Sequence, residues 1–592
     1  MLSTILVANR GEIAARIIRT IHDMGLKAVA VYADQDLNSP AVALADEAYA
    51  LGGSTIADTY LNGDKILEIA ERAGADAIHP GYGFLSEVPE FADAVANAGL
   101  AWIGPAGTTI TQLGDKIGAR RTAVAAGVAP VPGTNDPVRS IDEIRTFAGE
   151  YGYPIVAKRS DGGGGRGIVI LRTDADIDEF EARHGGKGGD LAAYFLEKFV
   201  ESARHIETQC MADSHGNFSV VTTRDCSVQR RNQKLIEEAP APFLPEGVDE
   251  TVAKWSESLF RTTDYVGLGT CEFLLDSDGS VYFLEVNPRL QVEHTVSEEV
   301  TGLDLVAEQI RIASGEALSA VPEVRGHSFE FRITSEDPGT DLIPTSGTIT
   351  GLEWPTGHGV RIETGVRIGD TVSPDFDSMI AKLIVTGPDR KTAIARSLRA
   401  MKELTIEGIA TPKDLLADIL RHPAFADDFT VGTRWMETEY LPNAELPKPF
   451  LAPGTADAEQ ARRSFVAEID GRRHQVSLPA EFFAAGPSAS NGSAARPQQP
   501  RRTGGRTSSG GAGAAAVAAD GVLTAPIQGI VVRISVEAGQ QVKKGDVLLV
   551  LEAMKMEKYI HAQADGRVEE IFVTTSQNVP AHTPLIKLEE DR

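Results

Sequence analysis

Apolar residues recur at two different periods along the first hundred positions. Short β-branched runs at residues 5–8, 28–32 and 77–79 read as strands, and apolar residues at helical spacing predict helices over 11–24 and 63–72. Strands alternating with helices imply an open, mostly parallel, doubly wound sheet. Further on, strand signals become local: residues 271–275 and 281–287 flank the turn Asp276-Ser277-Asp278-Gly279 and predict a hairpin. From 326 to about 443 strands such as 359–363 alternate with helices such as 390–403, an α+β pattern. Near the C-terminus two half-repeats begin at Gly529 and Gly566, an offset of 566 − 529 = 37. This offset matches Val531 with Val568, Ile534 with Ile571, Val536 with Val573, Val542 with Val579 and Leu551 with Leu588. Neither half can bury its period-2 apolar face alone, so the pair predicts a quasi-two-fold flattened β-barrel.

Between these patterns lie two segments of another kind. SFVAEIDGRRHQVSL, residues 464–478, predicts a β-hairpin turning at Asp470-Gly471 and is a candidate docking element. Residues 484–520 hold Gly, Ala, Ser, Pro, Gln and Arg with Val517 as the only larger aliphatic, which cannot form a core and reads as a flexible linker. Such a tether has a root-mean-square span of roughly 30–35 Å as a coil and reaches about 120 Å when stretched.

With 592 residues and 42% hydrophobic content the chain is expected to form several packed domains. Its net charge of −27 argues against nucleic-acid or anionic-membrane partners, and no run reaches membrane-spanning length. The first strand is interrupted at once by Asn9-Arg10-Gly11-Glu12, unlike a signal or transit peptide. Cys210, Cys226 and Cys271 show neither metal-ligand spacing nor a disulfide framework, and a cytoplasmic location is expected.

Candidate chemistry concentrates in three places. Lys158 leads into RSDGGGGRG, followed by a strand rather than a helix, so its G-x-G-x-x-G is not a dinucleotide fingerprint. Gly162, Gly163, Gly164, Gly165 and Gly167 instead suit a hairpin loop whose backbone N–H groups approach phosphates, with Lys158 and Lys116 as point charges. In the hairpin 271–287, pairing Leu275 with Tyr282 sets Glu272 opposite Glu285, with Asn287 two residues on. Opposed like charges destabilise a hairpin unless a hard cation such as Mg²⁺ or Mn²⁺ lies between them. Immediately after it, Arg289 offers a forked donor suited to a planar anion such as bicarbonate. Finally, Lys555 falls between the two half-repeats, flanked by Met554 and Met556 in EAMKMEK.

ANRGEIAARIIR (8–19), HPGYGFLSE (79–87), the glycine hairpin, NPRLQVEH (287–294) and EAMKMEK (552–558), in this order, resemble the alpha subunits of biotin-dependent acyl-CoA carboxylases. In these, an ATP-grasp biotin carboxylase is fused to a biotin carboxyl carrier. The resemblance implies a multidomain α/β chain. Its parts are a doubly wound N-terminal domain (1–113), an ATP-grasp domain (114–325), an α+β C-terminal domain (326–446) and a connecting region with the hairpin (447–483). The linker (484–520) and the biotinyl domain (521–592) follow. It implies ATP, Mg²⁺ or Mn²⁺ at Glu272, Glu285 and Asn287, and biotin joined to Lys555 by a biotin protein ligase. Glu197, Lys198 and Val200 would face the adenine, with His205 and Gln229 near the ribose and base. Lys234, Gln291 and the Val292 backbone would join Arg289 around bicarbonate, Glu293 would be the base, and Arg332 would stabilise the biotin enolate. The family mechanism is phosphorylation of bicarbonate to carboxyphosphate, its breakdown to CO₂ and phosphate, and carboxylation of biotin. Three positions depart from the family pattern: Asn232 for histidine, Pro288 for threonine and Thr334 for asparagine.

A generic ATP-grasp ligase joining an acid to an amine lacks a use for the carrier domain, and a non-catalytic carrier lacks a use for the intact catalytic set. With the chain ending at Arg592, a separate carboxyltransferase (beta) subunit is expected, in homo- and hetero-oligomers, and this chain alone is expected to carboxylate biotin but no acyl-CoA. A linker of 37 residues (520 − 484 + 1) is longer than one destination needs, which fits biotin visiting two sites.

Overall fold

The computed structural model describes residues 2–160, 167–184, 190–373 and 375–450, the strands Arg462–Ile469 and Arg472–Pro479, and most of 517–590. At the N-terminus β1 (Thr4–Val7), β2 (Lys27–Tyr32), β3 (Glu47–Ala50), β4 (Ala77–His79) and β5 (Ala101–Trp102) form one parallel sheet in the order β3-β2-β1-β4-β5. Between β1 and β2 runs α1 (Gly11–Asp23), whose Ile13, Ile17 and Ile21 recur every four residues and are buried. The strand order reverses on either side of β1, so the loops after β1 and β4 sit side by side at the strand C-ends, where such sheets place ligands. Asn9 ties these two loops together, its Nδ2 donating to the carbonyls of Pro80 at 2.6 Å and Tyr82 at 2.8 Å. Gly81 has φ +65°, and a Cβ there would stand 2.8 Å from Asn9 Nδ2, so the close approach requires glycine.

A second sheet of three strands, β6 (Ile155–Arg159), β7 (Ile168–Leu171) and β8 (Tyr194–Lys198), has the order β7-β6-β8. Gly162, Gly163, Gly164 and Gly165 lie outside the described residues. The largest sheet contains β9 (Arg204–Ala212), β10 (Phe218–Arg230), β11 (Gln233–Ala239), β12 (Gly267–Leu275), β13 (Val281–Asn287) and β14 (His327–Thr334), joined by Val360–Thr364 and Met379–Gly387. Its order is β13-β12-β9-β10-β11-β14, then Met379–Gly387 and Val360–Thr364, all antiparallel. The pairing of Ile236 with Phe331 carries the sheet across the division expected at 325/326, so side chains from both sides of that division share one face.

The expected pairing of Leu275 with Tyr282 is corrected: Leu275 opposes Val281 and Leu274 opposes Tyr282. A β-bulge between Phe273 and Glu272 then shifts the register by one, and Glu272 does oppose Glu285. The extra residue of the bulge exchanges which side chains face inward, something a uniform register cannot express.

The C-terminal strands share one core that includes Val531, Val536, Val542, Leu551, Val568, Val573, Val579 and Leu588, with Ile534 and Ile571 packed against it. Their pairing repeats at the expected offset of 37: Val531 opposes Leu551 as Val568 opposes Leu588. Each half also lends a strand to the other, since Gly529 opposes Val579 and Gly566 opposes Val542. Met554 and Lys555 lie outside the described residues, between the paired residues Ala553 and Met556. Val517 and Ala518, at the end of the linker expected over 484–520, pair with Leu523 and Val522. The strands Arg462–Ile469 and Arg472–Pro479 pair throughout, from Arg462 with Pro479 to Ile469 with Arg472; Asp470 and Gly471 lie outside the described residues. Among the described residues no helix is long and apolar enough to cross a membrane.

Candidate active site

Cross-strand partners point to the same face of a sheet, and in the largest sheet this gathers charge. Glu285, Glu272, Glu207 and Arg224 are successive partners across β13, β12, β9 and β10. Arg224 has no exposed surface and uses its whole guanidinium. It donates to Glu207 at 3.0 Å, Gln209 at 2.7 Å, Ser297 at 3.0 Å, Thr270 at 3.1 Å and Gln291 at 2.5 Å.

Lys234, near the start of β11, reaches into this row. Its Nζ lies 3.0 Å from Glu272 Oε1 and 2.7 Å from Glu293 Oε1, and it also donates to Glu207. Burial would lower the ammonium pKa, but Glu207, Glu272 and Glu293 outweigh it and hold the pKa well above the ordinary lysine value. Burial likewise would raise Glu272, which Lys234 and His205 instead hold well below the ordinary carboxyl range.

Glu293 immediately precedes the helix His294–Thr301, with 2% of its surface exposed. One oxygen faces Lys234; the other accepts from Arg332 Nη2 at 3.0 Å. Arg332 is itself held by Glu237 at 2.6 Å. Against the raising effect of burial, Lys234, Arg332 and Arg224 keep Glu293 far below the usual carboxyl range, and it is ionised. Gln291 donates to Glu272 at 2.7 Å while accepting from Arg224, and the Val292 carbonyl accepts from Lys382 Nζ at 2.7 Å. Arg289 lies 3.1 Å from Glu87 of the loop after β4, and its Nη2 donates to Asn287 Oδ1 at 2.9 Å.

On the three-stranded sheet, Lys158 on β6 and Glu197 on β8 form an ion pair, and Arg120 donates to the other Glu197 oxygen at 3.0 Å. Lys198 follows on the same strand, and Val200 packs with Val131 and Ala203. His205 stands 3.0 Å from Glu272, and its Nδ1 contacts Gln229 Nε2 at 2.8 Å, so these two join the charged row directly. Asn232 has φ +61° in the two-residue turn Arg231-Asn232 between β10 and β11, a conformation that asparagine tolerates. Lys116 opens the helix Lys116–Ala125 and acts electrostatically on Glu285.

The donors suit a hard cation. Glu285 is raised by burial and then by Glu272, with Lys116 opposing, so the two carboxylates repel on a half-dry face. Asn287 adds a side-chain amide beside them, its Nδ2 2.9 Å from Glu272. A divalent ion at Glu272, Glu285 and Asn287 would reverse that repulsion. His205, Glu207 and Glu272 also converge within 4.8 Å, but the Lys234 ammonium already bridges the two glutamates.

Arg224, Glu207, Glu237 and Arg120 escaped the sequence analysis. The available signal was charge at inward positions of otherwise apolar or small-residue strands, as in HIETQC and TTRDCS.

Family profiles match most of the chain: "Biotin carboxylase, N-terminal domain" over 1–110, "Carbamoyl-phosphate synthase L chain, ATP binding domain" over 115–321, "Biotin carboxylase C-terminal domain" over 330–438 and "Biotin-requiring enzyme" over 521–588. Among solved structures, biotin carboxylase of Campylobacter jejuni superposes with a TM-score of 0.70 at 39% identity, covering 74% of this chain and 98% of that one. The biotin carboxylase domain of Hydrogenobacter thermophilus 2-oxoglutarate carboxylase, complexed with MgADP and bicarbonate, has a TM-score of 0.70 at 40% identity, over 74% and 97%. The mitochondrial methylcrotonoyl-CoA carboxylase subunit alpha of Mus musculus is 35% identical, covering 100% of this chain and 93% of its own. The biotin-dependent acyl-coenzyme A carboxylase alpha3 subunit of Mycobacterium leprae is 45% identical over 99% of this chain and 98% of its own. Likeness of that extent settles the family: the chain belongs to the alpha subunits of biotin-dependent acyl-CoA carboxylases, and is a biotin carboxylase, a ligase that couples ATP cleavage, with a divalent cation, to the carboxylation of biotin.

Proposed function

We propose that Glu293, Lys234, Arg289 and Arg332 carry out the carboxylation of biotin on Lys555 of this chain, and that the carboxyl group then passes to a separate carboxyltransferase subunit acting on acetyl-CoA or propionyl-CoA. The observation that carries this reading is the placement of Glu293, a buried carboxylate with one oxygen on Lys234 and the other on Arg332.

Bicarbonate would lie between the Arg289 guanidinium and Glu293, with Gln291, the Val292 backbone and Lys234 lining the rest. Glu293 takes its proton. The freed oxygen attacks the γ-phosphorus of ATP, the bond to the ADP oxygen breaks, and carboxyphosphate results; cleavage of its C–O bond releases CO₂ and phosphate. Glu293 held so low is a weak base, so its strength depends on its neighbours. An anion that draws Lys234 or Arg332 toward itself raises Glu293 in the same motion that delivers the proton to it. Lys158 and Lys116 would meet the phosphates, and the backbone N–H groups of Gly162, Gly163, Gly164, Gly165 and Gly167 would approach the phosphate oxygens. Glu197, Lys198, Val200, His205 and Gln229 would line the base and ribose. Glu272, Glu285 and Asn287 would hold a divalent cation, which would supply neutralisation of phosphate charge. Biotin would supply the nitrogen that accepts the carboxyl group, its N–H proton passing to the released phosphate, and Arg332 would face the negative charge developed there.

The name "subunit alpha" borne by the relatives supports a partner that completes the reaction. The test supplies biotinylated chain with ATP, Mg²⁺ and labelled bicarbonate. Label is expected on protein-bound biotin, and on acyl-CoA only once a carboxyltransferase is added. Glu293→Gln is expected to keep ATP affinity and to lower bicarbonate-dependent ADP release by about two to four orders of magnitude, the range for a lost general base. Turnover within a few-fold of the parent excludes Glu293 as the base.

A further inference from the structure

On the catalytic face, one strand beyond Arg332, lies a buried cation that takes no part in the chemistry above. Lys382, on the strand Met379–Gly387, has 0% exposure. It is the cross-strand partner of Arg332 on one side and of Glu363 on the other, so it shares the catalytic face of the sheet, one strand away from Arg332. Its Nζ donates to the Val292 carbonyl at 2.7 Å, with Glu12 Oε2 at 3.4 Å and Glu330 Oε2 at 4.0 Å. Both carboxylates are anchored in turn: Tyr82 donates its hydroxyl to Glu12, and Thr295 donates to Glu330.

A carbonyl needs only a neutral donor, whereas a dry ammonium is expensive unless carboxylates surround it. Glu12 and Glu330 supply that surrounding, from α1 and from β14. The carbonyl they help to capture belongs to the peptide plane that contains the Glu293 nitrogen and Cα. Holding that oxygen fixes the direction in which the Glu293 side chain leaves the backbone.

We infer that Lys382 is a positioning residue for the reaction: by clamping the Val292 carbonyl, with Glu12 as counter-ion, it sets Glu293 between Lys234 and Arg332. This rests on the reading of Glu293 as the bicarbonate base. It also gives a role to the turns after β1 and β4, since Glu12 opens the helix that follows the first, Tyr82 belongs to the second and Asn9 holds the two together.

The test is a double-mutant cycle on the full biotinylated chain, reading bicarbonate-dependent ADP release. K382M is expected to lower kcat by about 10- to 100-fold, the cost of misplacing a reacting group by a fraction of an ångström to one ångström, with KM for ATP within about 2-fold of the parent. In an E293Q background the same substitution is expected to cost less than about 2-fold, because the group it positions is already disabled. K382R, which keeps a cationic donor, is expected to recover part of the loss. Should K382M leave Glu12 as an orphaned buried charge and fail to fold, K382M/E12Q removes that charge and carries the same cycle. Equal losses from K382M in the parent and E293Q backgrounds, or a K382M rate within about 2-fold of the parent, overturn the inference. If E293Q itself turns over at the parental rate, the underlying reading of Glu293 falls instead.

Discussion

Arg224→Met tests how the charged face is held. The substitution keeps an unbranched buried side chain and removes the donors to Glu207, Gln209, Ser297, Thr270 and Gln291. Glu207, fully buried, then keeps the Lys234 ammonium, which is shared with Glu272 and Glu293, and His205 at 3.4 Å. Breaking a buried pair by removing one partner costs about 3–5 kcal/mol. With a urea dependence of about 3 kcal/mol per molar, the midpoint falls by about 1–1.7 M for the transition that reports the carboxylase core. Function should suffer separately, because Gln291 loses its anchor: KM for bicarbonate is expected to rise by about tenfold or more, one lost charge-assisted hydrogen bond being worth about 1.5–3 kcal/mol. The control is Arg224→Met with Glu207→Met, which leaves no orphaned carboxylate and should recover much of the stability but none of the bicarbonate affinity. The assay is urea unfolding by tryptophan fluorescence beside steady-state kinetics. A single variant within about 1 kcal/mol of the parent, or a double variant less stable than the single, refutes the account of Arg224 as counter-ion to Glu207.

Two other expectations can be checked directly. Glu336 is buried, and burial, with Asp377 adding and Ser378 opposing, raises it from 4.5 to about 7; the folded chain therefore holds a proton that the unfolded chain has lost between those values, and stability from this group falls as pH rises from about 4.5 to 7. Glu336→Gln removes that dependence, so the parent should lose about 2.5 kcal/mol relative to the variant between pH 5 and pH 8, at 1.36 kcal/mol per unit; an unchanged difference in unfolding midpoints would show that Glu336 is not raised. Lys555→Arg should abolish the mass increase of one biotin that a biotin ligase confers on the parent, and an adduct persisting in that variant moves the attachment site elsewhere.

Local and repeated features were legible from the order of residues alone. The offset of 37 in the carrier domain was readable because each half carries the same period-2 apolar positions, and the observed strand pairing repeats with it. Glu272 opposite Glu285 was readable because a short turn brings nearby residues together, although the bulge beside Glu272 was not, since an extra unpaired residue leaves no pattern in a short hairpin. The basic and acidic residues of NPRLQVEH were readable as a cluster, but not their partners. Arg332 meets Glu237 because β11 and β14, distant in the chain, lie side by side in one sheet, while Arg224 meets Gln291, and Lys382 meets Val292 and Glu12, because the segment after β13 and the start of α1 pack against that sheet. Composition does not encode which strands become neighbours, and a charge in an otherwise apolar strand has no visible reason until its counter-charge arrives from elsewhere. The sequence by itself determined the chemistry that was available; the pairing of distant strands decided which charges face one another, because a buried ion survives only where tertiary structure delivers its partner.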